Sequence, residues 1–459
     1  MPSGLNVVIL AAGQGKRMRS QLPKVLQPLG GKPLIEHVVA SARTLKPARI
    51  CVVYGHGGEQ VPQALRADGL TFVKQQPQLG TGHALAQALP HLAATGLTLV
   101  LYGDVPLVGE ETLAAMIAGG GDRLTLLTAE LEDPAGYGRI VRNRRGSITS
   151  IVEEKDASAP QRGIREINTG IMALPAARLG GWLSKLTDRN AQREYYLTDV
   201  VPLALAERVG VATVKARAAW EVLGVNSMQQ LAELERVYQR QQATRLMDAG
   251  VTIADPARID VRGSLDCGAD VRIDVNCVFE GDVRLGDRVE IGANCVLKDT
   301  SVGPDTRIEP FCSVDGATIG AHCRVGPYAR FRPGTRLAED VHIGNFVEVK
   351  ASEIGAGSKA NHLTYLGDTS VGRDVNVGAG TITCNYDGGA KHRTVIEDDV
   401  FIGSDTMLVA PVVVRRGATI GAGSTITKEA PPGELTLARA KQVTIPGWKR
   451  PKKAVKGDE

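Results

Sequence analysis

The chain has 459 residues, more than one ordinary hydrophobic core holds, so two or more domains are expected. Hydrophobic residues make up 43% and charged residues 23%, as in globular proteins, but aromatics reach only 4% against 53 glycines, which favours repeated small positions over one large irregular core. A net charge of +4 is modest and by itself says little about partners, and apolar runs such as LTLVLYG at 97–103 are far too short to cross a bilayer; neither a nucleic-acid partner nor stable membrane association is expected.

Up to about Val225 short apolar runs alternate with amphipathic stretches. VVILAAG, RICVVYG and LTLVLYGD read as strands, PLIEHVVASARTL and GTGHALAQALPHL as helices. That alternation predicts a mostly parallel sheet covered on both faces. From Ser227 to Gly250, Leu231, Leu234, Val237 and Leu246 recur at roughly helical spacing, predicting a helical arm over 227–250. Beyond Val251 the period becomes six. Ile273, Phe279, Leu285, Ile291 and Leu297 open a series that later runs from Ile319 through Val349 and from Ile402 through Ile426. Hexapeptide periodicity predicts a β-helix whose stacked coils fill the bore with one aliphatic column. Between Thr383 and Ile396 the register breaks at NYDGGAKHR, an insert expected to leave one face as a loop. The expected domains are therefore 1–226, 227–250, 251–446 and a basic, solvated tail over 447–459. No secretory leader is read at the start. Seven scattered cysteines without a CxxC pair predict neither a disulfide framework nor a zinc site, and a cytoplasmic location is expected.

VVILAAGQGKRM sets a glycine-containing turn and two cations after a first strand. It fits neither a Walker A loop nor GxGxxG, yet small residues there let backbone N–H groups approach phosphates that Lys16, Arg17 and Lys24 would neutralise. By itself it is more simply a tight turn. GTGHA at 80–84 is a second small-residue loop opening a helix, and YGDVPL puts Asp104 at the end of a strand, where open α/β sheets place ligands. A lone carboxylate there suits Mg²⁺ shared with phosphates, or a solvated turn. In the repeats, His362 of KANHLTYLG is a candidate general base or a plain surface histidine. Lys350, Tyr365, Asn376, the Asn385–Tyr386 pair and Arg332 lie near it in the repeat order, and such cations, amides and phenols suit a phosphorylated amino sugar. Glu348 is a candidate to orient His362, and the Gly378 and Ala379 N–H groups to bind an oxyanion.

LAAGQGKRM, LPKVL, LGTGHA, YGDVPL, GYGRI, IVEEKD, INTG and GVN occur in that order ahead of the hexapeptides. Over essentially its whole length the chain resembles the bacterial bifunctional N-acetylglucosamine-1-phosphate uridylyltransferase/glucosamine-1-phosphate acetyltransferases. The resemblance implies a Rossmann-like α/β nucleotidyltransferase domain followed by a left-handed parallel β-helix that associates as a homotrimer. It assigns Leu10, Ala11, Ala12, Gly13, Arg17, Lys24, Gln75, Gly80, Thr81, Tyr102, Gly103 and Asp104 to UTP, with Gln75, Gly80 and Thr81 reading uracil. Gly138, Glu153 and Asn168 would meet the sugar, and Asp104 with Asn226 would hold Mg²⁺. In the second half His362 would be the base, while Arg332, Lys350, Tyr365 and Asn376 would bind the sugar phosphate. Ala379, Asn385, Tyr386, Ser404, Ala422 and Arg439 would contact acetyl-CoA. The family pattern GTRM is here Gly15-Lys16-Arg17-Met18, which removes a hydroxyl at position 16. The implied function is acetylation of glucosamine-1-phosphate followed by uridylyl transfer to N-acetylglucosamine-1-phosphate. A uridylyltransferase whose β-helix only oligomerises or regulates is the alternative, against which His362 and its polar loop argue. A non-catalytic sugar-phosphate-binding solenoid is disfavoured by Asp104 and Asn226.

Overall fold

The computed structural model describes residues 4–13, 15–65 and 69–451, with position 16 described in its backbone alone. The expected phosphate contact of the Lys16 side chain and the tail past 451 lie outside the described residues. Contacts divide the chain into two compact units: Met1–Thr244 with Val261–Gly263, and Arg245–Asp260 with Ser264–Glu459.

The first unit is organised by nine strands: β1 (Asn6–Ala11), β2 (Arg49–Tyr54), β3 (Leu70–Lys74), β4 (Leu97–Tyr102), β5 (Leu124–Glu130), β6 (Gly138–Arg142), β7 (Ile148–Val152), β8 (Glu166–Pro175) and β9 (Val211–Lys215). They form one sheet in the order β9-β5-β8-β4-β1-β2-β3, with β6 on β8 and β7 on β6. β1 is parallel to β2 and β4, and β9 to β5, whereas β8 runs antiparallel to β4 and β5. Every residue of β1 is buried. Val7, Ile9 and Ala11 enter one core, Val8 and Leu10 the other. Each large aliphatic side chain removed from water there contributes about 1.5–3 kcal/mol. Helix α1 (Leu34–Thr44) covers the first layer through Ile35, Val38, Val39 and Ala42. Helix α2 (Thr81–Ala88) covers the second through Ala84, Leu85 and Ala88. The chain leaves β1 for β2 on one side and returns as β4 on the other, which opens a crevice beyond the carboxyl ends of β1 and β4. After the last strand of this sheet comes the long helix α3 (Met228–Asp248).

The second unit is a parallel β-helix. One eleven-stranded sheet runs from Thr252–Ile253 to Leu435–Thr436, and a seventeen-stranded sheet winds through the other faces. The six-residue aliphatic series points inward: Phe279, Ile308, Ile343, Leu366 and Ile402 are all essentially inaccessible. The short strands alternate exposed and buried residues, which a bore-filling column requires. Close stacking fixes the glycines. A Cβ at Gly403 would stand 2.5 Å from the Ala422 nitrogen of the next coil. Corners are turned by residues with positive φ, including Asn294, Phe311, Tyr328, Phe346 and Leu363 in successive coils.

Candidate active sites

The loop after β1 and the end of β4 meet over the crevice. Gly103 N–H donates to Leu10 O at 2.9 Å, which ties the two strand ends together. A cavity of about 610 Å³ is lined by Leu10, Ala11, Ala12, Gly13, Gly15, Lys24, Gln75, Gly80, Thr81, Tyr102 and Asp104, among others. Lys24 Nζ lies 2.5 Å from Asp104 Oδ2 and 3.1 Å from Asn226 Oδ1. Asn226 is brought there because Val225 N–H donates to Asp104 O at 2.9 Å. A carboxylate and a carboxamide oxygen thus converge on one cation position, a donor set of the kind a hard divalent ion uses. Among the described residues no group of three or more His, Cys, Asp or Glu gathers for a metal.

Gln75 is buried, and its amide nitrogen donates to Gly80 O at 3.0 Å and meets His83 Nδ1 at 3.1 Å. Its carbonyl oxygen remains as an acceptor, which an imide N–H needs. Burial pushes the His83 imidazole down from its ordinary pKa. Thr81 Oγ1 accepts from Leu197 N–H, while Gly82 N–H donates to Tyr195 O. The segment around Glu194 and Tyr195 therefore forms one wall of the cavity. Nothing in the sequence marked that wall, because it carries neither periodicity nor a glycine loop; the only hint is Gly80, where a Cβ would strike the Tyr195 backbone at 2.7 Å.

Gly138, Asn168 and Glu153 come together beside this cavity. Asn168 faces Gly138 across β8 and β6, and a Cβ on Gly138 would stand 3.3 Å from both Glu153 carboxylate oxygens. Burial pushes the Glu153 carboxyl above its usual range, against the Thr198 hydroxyl that donates to it at 3.2 Å. Tyr102, also raised by burial, packs against Gly170 between the two clusters. Arg17 is exposed, on the short turn Lys16–Met18 after Gly15.

In the β-helix, His362 ends the strand Lys359–His362 and pairs in register with Asn345 one coil earlier. Its Nδ1 donates to Asn345 Oδ1 at 2.6 Å, which leaves Nε2 as the outward lone pair. The expected orienting role of Glu348 is corrected: Glu348 is in register with Tyr365, past the corner, and pairs with Arg332 at 3.3 Å and Arg330 at 3.5 Å. The Gly378 N–H is likewise committed, to Ile402 O at 2.9 Å. A hydrogen bond that holds two coils together is not free for an oxyanion.

Beyond the corner, Lys350 Nζ lies 3.1 Å from Asp368 Oδ2, and Asn385 Nδ2 donates to the same oxygen at 2.5 Å. Asn385 also reaches the Tyr365 hydroxyl at 3.4 Å. Burial raises the Asp368 carboxyl, but the Lys350 and Asn385 contacts outweigh it and hold it below the usual range. Lys391 stands beside Lys350, whose proximity pulls the Lys391 pKa down. The insert folds back as a small hairpin, with Tyr386 bridging Lys391, His392 N–H donating to Asn385 O, and Tyr386 well exposed. Asn385 therefore joins the Lys350–Tyr365 cluster. Asn376 stands on the first face, in register with Lys359 and Phe401. Ala379, Ser404 and Ala422 follow one another in consecutive coils, and Arg439 Nη1 donates to Ala422 O at 2.8 Å. Asn345, Asp368 and Lys391 escaped the sequence reading, although counting one coil back from His362 reaches Asn345.

A small-residue loop over the crevice of a sheet of this order, in a chain that continues as a hexapeptide β-helix, is the arrangement of a two-part transferase. Residues 7–169 match the MobA-like NTP transferase domain, 261–360 the GMPPB C-terminal domain and 393–428 the bacterial transferase hexapeptide (six repeats). The chain is 64% identical to "Bifunctional protein GlmU" of Azoarcus sp. (strain BH72), covering 98% of this chain and 100% of that one. It is 62% identical to the protein of the same name from Nitrosospira multiformis, over 99% of each. The chain belongs to the GlmU family. It is a bifunctional enzyme of UDP-N-acetylglucosamine synthesis, a nucleotidyltransferase and an acyltransferase. Nucleotidyltransferases of this kind are generally dependent on a divalent metal. No helix among the described residues is long and apolar enough to cross a membrane.

Proposed function

We propose that the first cavity binds UTP and N-acetylglucosamine-1-phosphate, and that the β-helix acetylates glucosamine-1-phosphate from acetyl-CoA around His362. The observation that carries the first assignment is the meeting of Lys24, Asp104 and Asn226 at the mouth of the Leu10–Gly13 loop. Gln75, Gly80 and Thr81 hold the base; Gly138, Glu153 and Asn168 hold the sugar. A phosphate oxygen of the sugar substrate attacks the α-phosphorus, and the bond to pyrophosphate breaks. That nucleophile is already anionic, so no protein base is required, and catalysis rests on in-line positioning and charge neutralisation by Lys24 and Arg17. Asp104 and Asn226 would hold Mg²⁺, which when bound neutralises phosphate charge.

In the second unit, the outward Nε2 of His362 takes a proton from the substrate ammonium. The amine attacks the thioester carbonyl, a C–N bond forms, the C–S bond breaks, and the thiolate of coenzyme A receives a proton. Arg332, Lys350, Tyr365, Asn376 and the newly seen Lys391 supply the phosphate and hydroxyl contacts. The small side chains of Ala379, Ser404 and Ala422 give a long acyl carrier a floor, and Arg439, Asn385 and Tyr386 border it. Association as a homotrimer is supported by an exposed file at one corner, where Phe311, Tyr328 and Phe346 stack with ring centroids 4.9 and 5.3 Å apart. Bulky residues with positive φ are costly, and a second copy covering them compensates. Cys51, Cys277, Cys295, Cys312 and Cys323, buried as thiols, suit a reducing cytoplasm.

Two assays test the division of labour. His362→Ala is expected to lower thiol release from acetyl-CoA about 10²–10⁴-fold while pyrophosphate release from UTP stays within error. Asp104→Ala is expected to do the reverse. Loss of both activities in either folded variant overturns the assignment.

A further inference from the structure

Lys24 is the one cation that meets both Asp104 and Asn226 among the described hydrogen bonds, and its position matters before any nucleotide arrives. Its side chain is 13% exposed and that of Asp104 16%, so the pair is largely shielded from solvent. The glycine loop passes close to the root of the lysine, where a Cβ on Gly15 would stand 2.8 Å from Lys24 Cβ. A carboxylate already neutralised by an ammonium at 2.5 Å is a poor partner for a dication, which would meet the lysine charge at close range in a low-dielectric setting. One carboxylate and one carboxamide are also too few ligands to displace that lysine unaided. Lys24 lines the same cavity as Gly13, Gly80 and Asp104, so an arriving triphosphate offers its ammonium a stronger anion within reach of a flexible stem.

We propose that Lys24 holds the Asp104–Asn226 oxygens closed to divalent cations until a nucleoside triphosphate draws its ammonium away, so that metal and nucleotide enter together. The inference rests on the reading of Asp104 and Asn226 as metal ligands, and the experiment separates the two. Mn²⁺ is titrated into the full-length chain without nucleotide, and the free ion is read from its electron paramagnetic resonance signal. Lys24→Met, which keeps the stem and removes the charge, is expected to bind Mn²⁺ about tenfold or more tightly than the unaltered chain. Lys24→Arg, which keeps the charge, is expected to match the unaltered chain, and adding Asp104→Asn to Lys24→Met is expected to abolish the gain. In parallel, UTP affinity is measured by calorimetry in Mn²⁺ and in EDTA. If the Mn²⁺-dependent gain in UTP affinity is lost in Asp104→Asn but Lys24→Met binds Mn²⁺ no better than the unaltered chain, the closed-site proposal fails and the metal assignment stands. If Asp104→Asn keeps that gain, the metal assignment fails and takes the proposal with it.

Discussion

Glu153 shows how a residue's environment becomes a measurable property. Burial raises its folded-state pKa, so between the unfolded and folded values the native chain binds more protons than the unfolded one. Stability is then lost as pH rises from about 4.5 through the raised pKa. Glu153→Gln removes that loss, and its stability advantage over the unaltered chain is expected to grow over this window and level off above it, as read by urea unfolding at several pH values. The same variant is expected to raise the KM for the sugar phosphate, because the carboxylate faces Gly138 and the proposed sugar position. At the other centre, Asn345→Ala is expected to slow acetyl transfer about 10–100-fold by releasing the Nδ1 proton of His362, with pyrophosphate release unaffected. A change in KM alone would place Asn345 in binding instead. His362 and Asp104 were visible in the sequence because they stand in ordered motifs. Asn345 and Lys391 stand in no such motif: Asn345 gains its place from the coil stacked beside it, and Lys391 from the insert folding back towards Lys350. Arg139 was equally hidden: its guanidinium is fully buried and paired with Glu154 at 2.7 Å. Arg139→Ala is expected to cost about 1–3 kcal/mol in denaturation of the first unit, since it leaves the Tyr137 carbonyl without its donor and opens a cavity in place of a buried side chain.

At the scale of elements, period decided what was legible. Six-residue spacing from Ile273 to Ile426 named the β-helix and its bore, because the inward-facing position of each stacked coil is filled by an apolar side chain. The alternation of strand and helix gave β1, β2, β4, α1 and α2 close to their bounds. It did not give β8, whose antiparallel course between β4 and β5 leaves no trace in hydrophobic pattern. Nor did it give the Glu194–Tyr195 wall, which is held by backbone hydrogen bonds to Leu79 and Gly82 that side-chain identity does not encode. Stacking makes the glycines of the solenoid intolerant of substitution. Gly403→Val is expected to destabilise the second unit by about 1–3 kcal/mol, measured as a lowered midpoint in chemical denaturation, while nucleotidyl transfer by the same preparation is unchanged.

For the whole molecule, two compact units, each with its own buried interior, imply two unfolding events. The sheet of the first unit buries its own pair of layers, and the bore of the second fills itself coil by coil. Calorimetry is expected to show two transitions, with UTP and Mg²⁺ at about a hundredfold over Kd stabilising only one, by about 2.7 kcal/mol, and coenzyme A moving only the other. A single transition shifted equally by both ligands would contradict this independence. The stacked corners carry a last consequence. Each rung repeats its neighbour, so whole turns ahead of Phe311 can be gained or lost while His362, Asn345 and Lys350 keep their mutual places. Column height is thereby a variable that descent can adjust without touching either chemistry.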